Sequence, residues 1–138
     1  MVRKILAVLA GVVAAMVVIL LMETIGHQLY PTATTVDWKN TVAVRAYMDA
    51  MPLWSYLWIW LGWVVGSAVA GFVAYKIVQA HGIVLPLVIG GLLTASAVMN
   101  FVSIPHPVWF VVLGVLTFVP FVFTGWQASM RLGKQVSA

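Results

Sequence analysis

Glu23 and His27 stand four residues apart in an otherwise apolar stretch. That spacing places two side chains on one helix face, about 6 Å apart along the axis. Tyr30 continues the same face at i+7. A carboxylate inside a membrane helix costs at least ~2.5 kcal/mol on insertion scales, so it calls for a partner and marks a candidate site. Two further polar residues are placed to join it. Glu23 lies ~28 Å along a helix from Lys4, and Asn100 lies ~25 Å from Ile83, so both reach the same third of a bilayer. His106 follows in the turn after Asn100, between two prolines. Two imidazoles, a carboxylate and an amide suit a divalent metal such as zinc, or iron with open positions. A Glu-His pair sharing a proton suits a proton or small-ligand site, and the same four groups also suit a plain hydrogen-bonded network between helices.

Composition dictates the elements that must position these groups. The 138 residues are 64% hydrophobic and hold seven Lys and Arg with three Asp and Glu, where a soluble chain of this length would hold roughly 35 charges. No Asp, Glu, Lys or Arg occurs from Ile77 to Met130, and the mean hydropathy is +1.09. These values describe an all-α integral membrane domain over 1–138, a four-transmembrane-helix bundle with no room for a soluble catalytic domain. The expected spans are 4–30, 52–77, 83–104 and 107–130. Arg3 and Lys4 before Ile5 to Met22 look like a signal peptide, but the apolar run is long and no small-x-small cleavage site follows, so it reads as an uncleaved first span. Pro31 and the following threonines end that span, Gln79 to Gly82 form a short turn, and Pro105-His106-Pro107 reverses the chain. Pro120 should bend the last span.

In the loop 31–51, Asp37 is placed to cap a short helix. Its Val44, Tyr47, Met48 and Met51 form one apolar face, a pattern that suits a short surface helix. Arg3, Lys4, Lys76, Arg131 and Lys134 fall on the side of the termini, against Lys39 and Arg45 on the other. That bias predicts both termini cytoplasmic and the loop 31–51 outside. It also accounts for the net charge of +4 without nucleic acid as a partner. With no cysteine there is no disulfide, thiolate metal site or cysteine nucleophile.

Small residues four apart let helix backbones approach closely. The second span offers Gly62, Gly66 and Ala70, with Ser67 and Gly71 one ridge over; the third offers Gly90 and Gly91. Close packing within the bundle and contact with a second copy both follow from such a groove. Of seven tryptophans, Trp38, Trp54, Trp58 and Trp109 map to the outer end, where indoles favour the headgroup level. With Tyr30, the last three could also line an aromatic pocket. Trp60 and Trp63 lie deeper and either fill the core, face lipid or line a pocket for a flat ligand.

Three strings carry a resemblance: Glu23-Thr-Ile-Gly-His-Gln-Leu-Tyr-Pro31, Gly66-Ser-Ala-Val-Ala-Gly-Phe-Val-Ala74 and Asn100-Phe-Val-Ser-Ile-Pro-His-Pro-Val-Trp-Phe110. They resemble small, uncharacterised four-helix bacterial integral membrane proteins. The resemblance covers nearly the whole chain and implies the architecture and a bacterial inner membrane. It implies no catalytic residue.

No nucleophile with a base, phosphate loop or catalytic carboxylate pair is present, which points away from an enzyme. The reading that follows is a non-enzymatic membrane protein acting by association in the lipid bilayer, as a homo-oligomer or an accessory subunit among other membrane subunits. The alternative is metal, proton or small-ligand binding or transport at Glu23, His27, Asn100 and His106. A lipid-modifying enzyme using Glu23 or His27 as base is a third option.

Overall fold

The computed structural model describes residues 1–29 and 36–136. It comprises five helices: α1 (Val2–Leu29), α2 (Thr41–Ala50), α3 (Leu53–Val78), α4 (Val84–Ser103) and α5 (Val108–Val136). All except α2 are long and apolar enough to cross a membrane. No strand occurs among the described residues. α5 continues beyond the expected end at 130, through Gly133 to Val136, a stretch without proline.

Contacts along the helices give their directions. Arg3 Nε donates to Ile77 O, and Gly11 lies against Ala70 and Ala74, so α1 and α3 are antiparallel. Tyr56 meets Phe110 and Tyr75 meets Trp126, so α3 and α5 are parallel. Gly90 lies against Val119 and Phe101 against Gly114, so α4 opposes α5. The start of α1 and the end of α5 therefore share one end of the bundle, called here the terminal end, and α2 occupies the other. Around the bundle, α1 packs on α3, α3 on α5 and α5 on α4; the seam between α1 and α4 is slight.

Lipid supplies no hydrophobic force between helices, so backbone proximity and van der Waals contact must hold them. A Cβ on Gly71 would stand 1.9 Å from Val122 O, and one on Gly125 would stand 1.8 Å from Ala68 O. The α3–α5 crossing is thus backbone on backbone. On the other side of α3, a Cβ on Gly66 would meet Ile19 Cγ1 at 2.8 Å, and one on Gly62 would meet Met22 Cβ at 3.0 Å. Ala70 is fully buried between them and Gly11. The Gly62/Gly66/Ala70 groove is therefore filled by α1 of the same chain, which removes it as a surface for another copy. Gly90 is in tight contact with Val119, whereas Gly91 faces open space and packs against nothing.

Toward the α2 end, the interior fills with aromatic rings. Trp63 lies 4.8 Å from Phe110 and 5.7 Å from both Phe118 and Phe101, centroid to centroid. Of the three places open to it by sequence, Trp63 takes the core and also borders a cavity between α1 and α4. Trp60 reaches across to α5, where its Nε1 donates to Thr117 Oγ1 at 2.8 Å. α5 runs through the exposed Pro120, whose ring nitrogen has no hydrogen to give to the preceding turn.

The α2 helix departs from expectation in two ways. Asn40, not Asp37, is its cap, accepting from Val42 N and Ala43 N; Asp37 instead accepts from Lys39 N in the turn before it. Its apolar face also turns toward the protein: Val44 and Met48 are buried, and Tyr56 Oη donates to Met48 O at 2.8 Å.

Gly125→Ala is expected to destabilise the bundle by more than about 3 kcal/mol, because the methyl group meets a backbone carbonyl that no rotamer change can move. Gly91→Ala should be neutral or slightly stabilising. Unfolding against the mole fraction of sodium dodecyl sulfate compares the two directly.

Candidate functional site

The last turns of α1, the face of α2 and the first turns of α3 enclose a cavity of about 80 Å³. Glu23, Gly26 and His27 form its α1 wall, Tyr47 and Met51 its α2 side, and Ser55, Trp58 and Ile59 its α3 wall. The helical spacing of Glu23 and His27 places both on this wall, as their i, i+4 relation requires. Trp58 fits because residue 26 is glycine: a Cβ there would stand 2.5 Å from Trp58 Cδ1. The indole Nε1 then donates to Met22 O at 2.6 Å, fixing the ring between α1 and α3.

A second cavity, of about 210 Å³, occupies the slight seam between α1 and α4. Trp63 and Phe118 form its floor, Ser96 and Asn100 its α4 wall, and Glu23 again its α1 wall. Glu23 is half-buried and belongs to both cavities. It is the sole Asp or Glu within the four long helices described above.

The structure thus divides the four polar residues expected together. Glu23 shares one cavity with His27 and the other with Asn100. His106 lies outside both. Its ring stacks on Phe110 at 5.7 Å and 18°, meets Phe101 edge-on at 5.2 Å, and contacts Ile104 O through Nδ1 at 2.7 Å. Among the described residues, no three His, Cys, Asp or Glu side chains gather as a metal-binding group. The set read as a divalent-metal centre does not assemble as one.

The residues read as an aromatic pocket are also dispersed. Trp58 lines the first cavity, Trp54 is exposed, and Trp109 is part of an edge-on pair with Tyr56 at 5.5 Å. Tyr30 lies outside the described residues. Sequence reasoning missed Ser55 and Gly26, and placed Tyr47 and Met51 on a face for lipid. The Gly26/His27 step on the Glu23 face was a usable signal, since a glycine beside an intramembrane acid leaves room for a large neighbour.

Ser55 is chemically the most telling of these. A helical serine inside a membrane ordinarily satisfies its hydroxyl on the carbonyl four residues back. Ser67 does so on Trp63 O, Ser96 on Leu92 O and Ser103 on Met99 O. Ser55 stands in the first turn of α3, where the residue four back, Met51, precedes the helix; it is 8% exposed, and its Oγ has no partner. A buried hydroxyl left unpaired costs about 1–3 kcal/mol, so the first cavity holds an unmet hydrogen bond beside a carboxylate. No family model, curated protein or solved structure matches the chain.

His106 lies between α4 and α5, and burial pushes its pKa below the ordinary imidazole value despite the opposing contact with Ile104 O. The unfolded chain therefore binds this proton more readily than the folded one. The contribution of His106 to stability is complete above the unfolded pKa of ~6.5 and is lost as pH falls through the lower folded value. A His106→Phe variant should show a flatter decline of stability with acid than the parent, and an NMR titration of the parent should place the His106 midpoint below 6.5.

Proposed function

We propose that the protein binds a proton or small cation on Glu23, inside the membrane, and passes it between the two cavities that Glu23 walls. The observation that carries this reading is the position of Glu23: the single acid of the four long helices stands where two cavities of about 80 and 210 Å³ adjoin the same side chain. A purely structural acid is best served by a tight hydrogen-bonded partner, not by space on two sides. The first cavity adds groups that favour a cation. Trp58 and Tyr47 line it, residue types whose ring faces attract positive charge, and Ser55 Oγ offers an acceptor. His27 lies on the same wall and is exposed.

In this reading the chain lies in a bacterial inner membrane with both termini cytoplasmic, supported by five Lys and Arg at the terminal end against two in the loop and α2. The α2 helix then covers the outer mouth of the first cavity. Association with a second copy or a larger complex is a separate reading. It is favoured by Gly91 and Ala95, which are exposed side by side on α4 with open space over Gly91.

The test is saturable quenching of tryptophan fluorescence by methylammonium in detergent, together with proton flux in liposomes read by an entrapped pH dye. Glu23→Gln is expected to abolish both, and Ser55→Ala to weaken methylammonium binding up to about tenfold. A parent protein with neither saturable binding nor flux overturns the proposal. For association, the detergent-solubilised mass of the parent and of Gly91→Leu discriminates: a monomer in both excludes an α4 interface.

A further inference from the structure

We infer a second site, at the terminal end of the bundle, that binds a phosphate-bearing anion at the level of the lipid headgroups. A cavity of about 250 Å³ lies there between the end of α3, the turn that follows it and the last turns of α5. It exceeds the ~150 Å³ that admits a benzene-sized molecule, so a phosphate with its attached glycerol fits. Its polar lining is Tyr75, Lys76, Gln79, His81 and Ser129. Every one of these can donate a hydrogen bond, and none is a carboxylate.

Ser129 is the counterpart of Ser55. It is fully buried, lines this cavity, and its Oγ has no hydrogen-bond partner, although a helical serine has the carbonyl of Gly125 within reach in principle. Among the described residues the two buried hydroxyls without a partner each line a cavity, one at either end of the bundle. At this end the unmet hydroxyl stands beside basic groups. Lys76 Nζ lies 5.6 Å over the Phe72 ring and not against an acid. The three acids of the chain, Glu23, Asp37 and Asp49, all belong to the α2 end.

Two backbone features fit an anion here. Gln79 ends α3 in the left-handed region, with φ 50° and its N–H on Tyr75 O at 2.7 Å, an uncommon conformation for a residue with a side chain. It turns the chain so that Gln79 and His81 both line the cavity. The carbonyl end of a helix repels an anion, but Tyr75 O is occupied by Gln79 and Ile77 O by the Arg3 guanidinium, which brings a further positive charge to the end of α3. The basic residues therefore do more than orient the chain: Lys76 and His81, with the Ser129 hydroxyl, form a cleft for phosphate oxygens. This site does not depend on the Glu23 reading.

Thermal unfolding of the full chain in a zwitterionic detergent tests it, with phosphatidylglycerol, phosphatidylcholine or inorganic phosphate added separately. Phosphatidylglycerol should stabilise the parent saturably and phosphatidylcholine should not. Stabilisation by inorganic phosphate as well identifies a free anion as sufficient; stabilisation by the lipid alone identifies a headgroup site. Lys76→Gln should weaken apparent affinity about tenfold or more, and Ser129→Ala about fivefold. Lys4→Gln removes the same charge from the same end, outside the cavity, and should change affinity less than twofold. Without any anion, Ser129→Ala should be as stable as the parent, because it removes an unpaired group, and this separates a binding defect from misfolding. Equal effects of Lys4→Gln and Lys76→Gln, or a parent indifferent to both phosphatidylglycerol and phosphate, overturn the site.

Discussion

The bundle depends on backbone contact along α3. A helix that must touch α1 on one side and α5 on the other, in a solvent as apolar as its own side chains, gains only from dispersion and from interhelical hydrogen bonds. Gly62 and Gly66 admit α1, and Gly71 admits the carbonyl of Val122 on α5. Two indole bonds, from Trp58 to Met22 O and from Trp60 to Thr117, reinforce the same two interfaces. The chain has spent its small residues here, which is why the groove read from spacing serves the interior.

Close packing at one seam opens another. α3 sits tightly against α1 and α5, and α5 against α4, while α1 and α4 meet only slightly, with Trp63 and Phe118 at the floor of the cavity in that seam. Glu23 faces this gap and the cavity under α2 together. The cost of a carboxylate within a membrane helix falls on a position that packing has left accessible from two sides. An acid retained for fold alone would gain more by replacement with an apolar residue that fills the space.

The four long apolar helices are legible from composition and hydropathy, and their ends from Pro31, the turn at Gln79 to Gly82 and the prolines flanking His106. The i, i+4 relation of Glu23 and His27 is likewise local, so sequence places both on one wall. What depends on tertiary packing was not legible. Helix depth brings Asn100 to the level of Glu23, yet depth says nothing about azimuth, and His106 turns into the Phe101 and Phe110 rings. The apolar face of α2 is legible from its spacing, but spacing does not say whether lipid or protein covers it. Gly71 is legible as one of a row of small residues, while its partner Gly125 is not, because only the crossing of two helices reveals where a Cβ has no room.

Serine shows the same limit in its sharpest form. Within a helix its hydroxyl has a local acceptor, so a sequence in which Ser67, Ser96 and Ser103 bond back to their own helices gives no reason to treat Ser129 differently, and Ser55 differs from them only by standing in the first turn of α3, where no helical carbonyl lies four residues back. Tertiary structure separates them: both are buried, both lack that bond, and both border empty space. Charge then sets what each space favours. Acids are confined to the α2 end and five basic residues to the terminal end, so the hydroxyl beside Glu23 borders the cavity proposed for a cation and the hydroxyl beside Lys76 the one proposed for an anion. The segregation that orients a chain in a bilayer also polarises its cavities, and in so short a chain the two consequences rest on the same few residues.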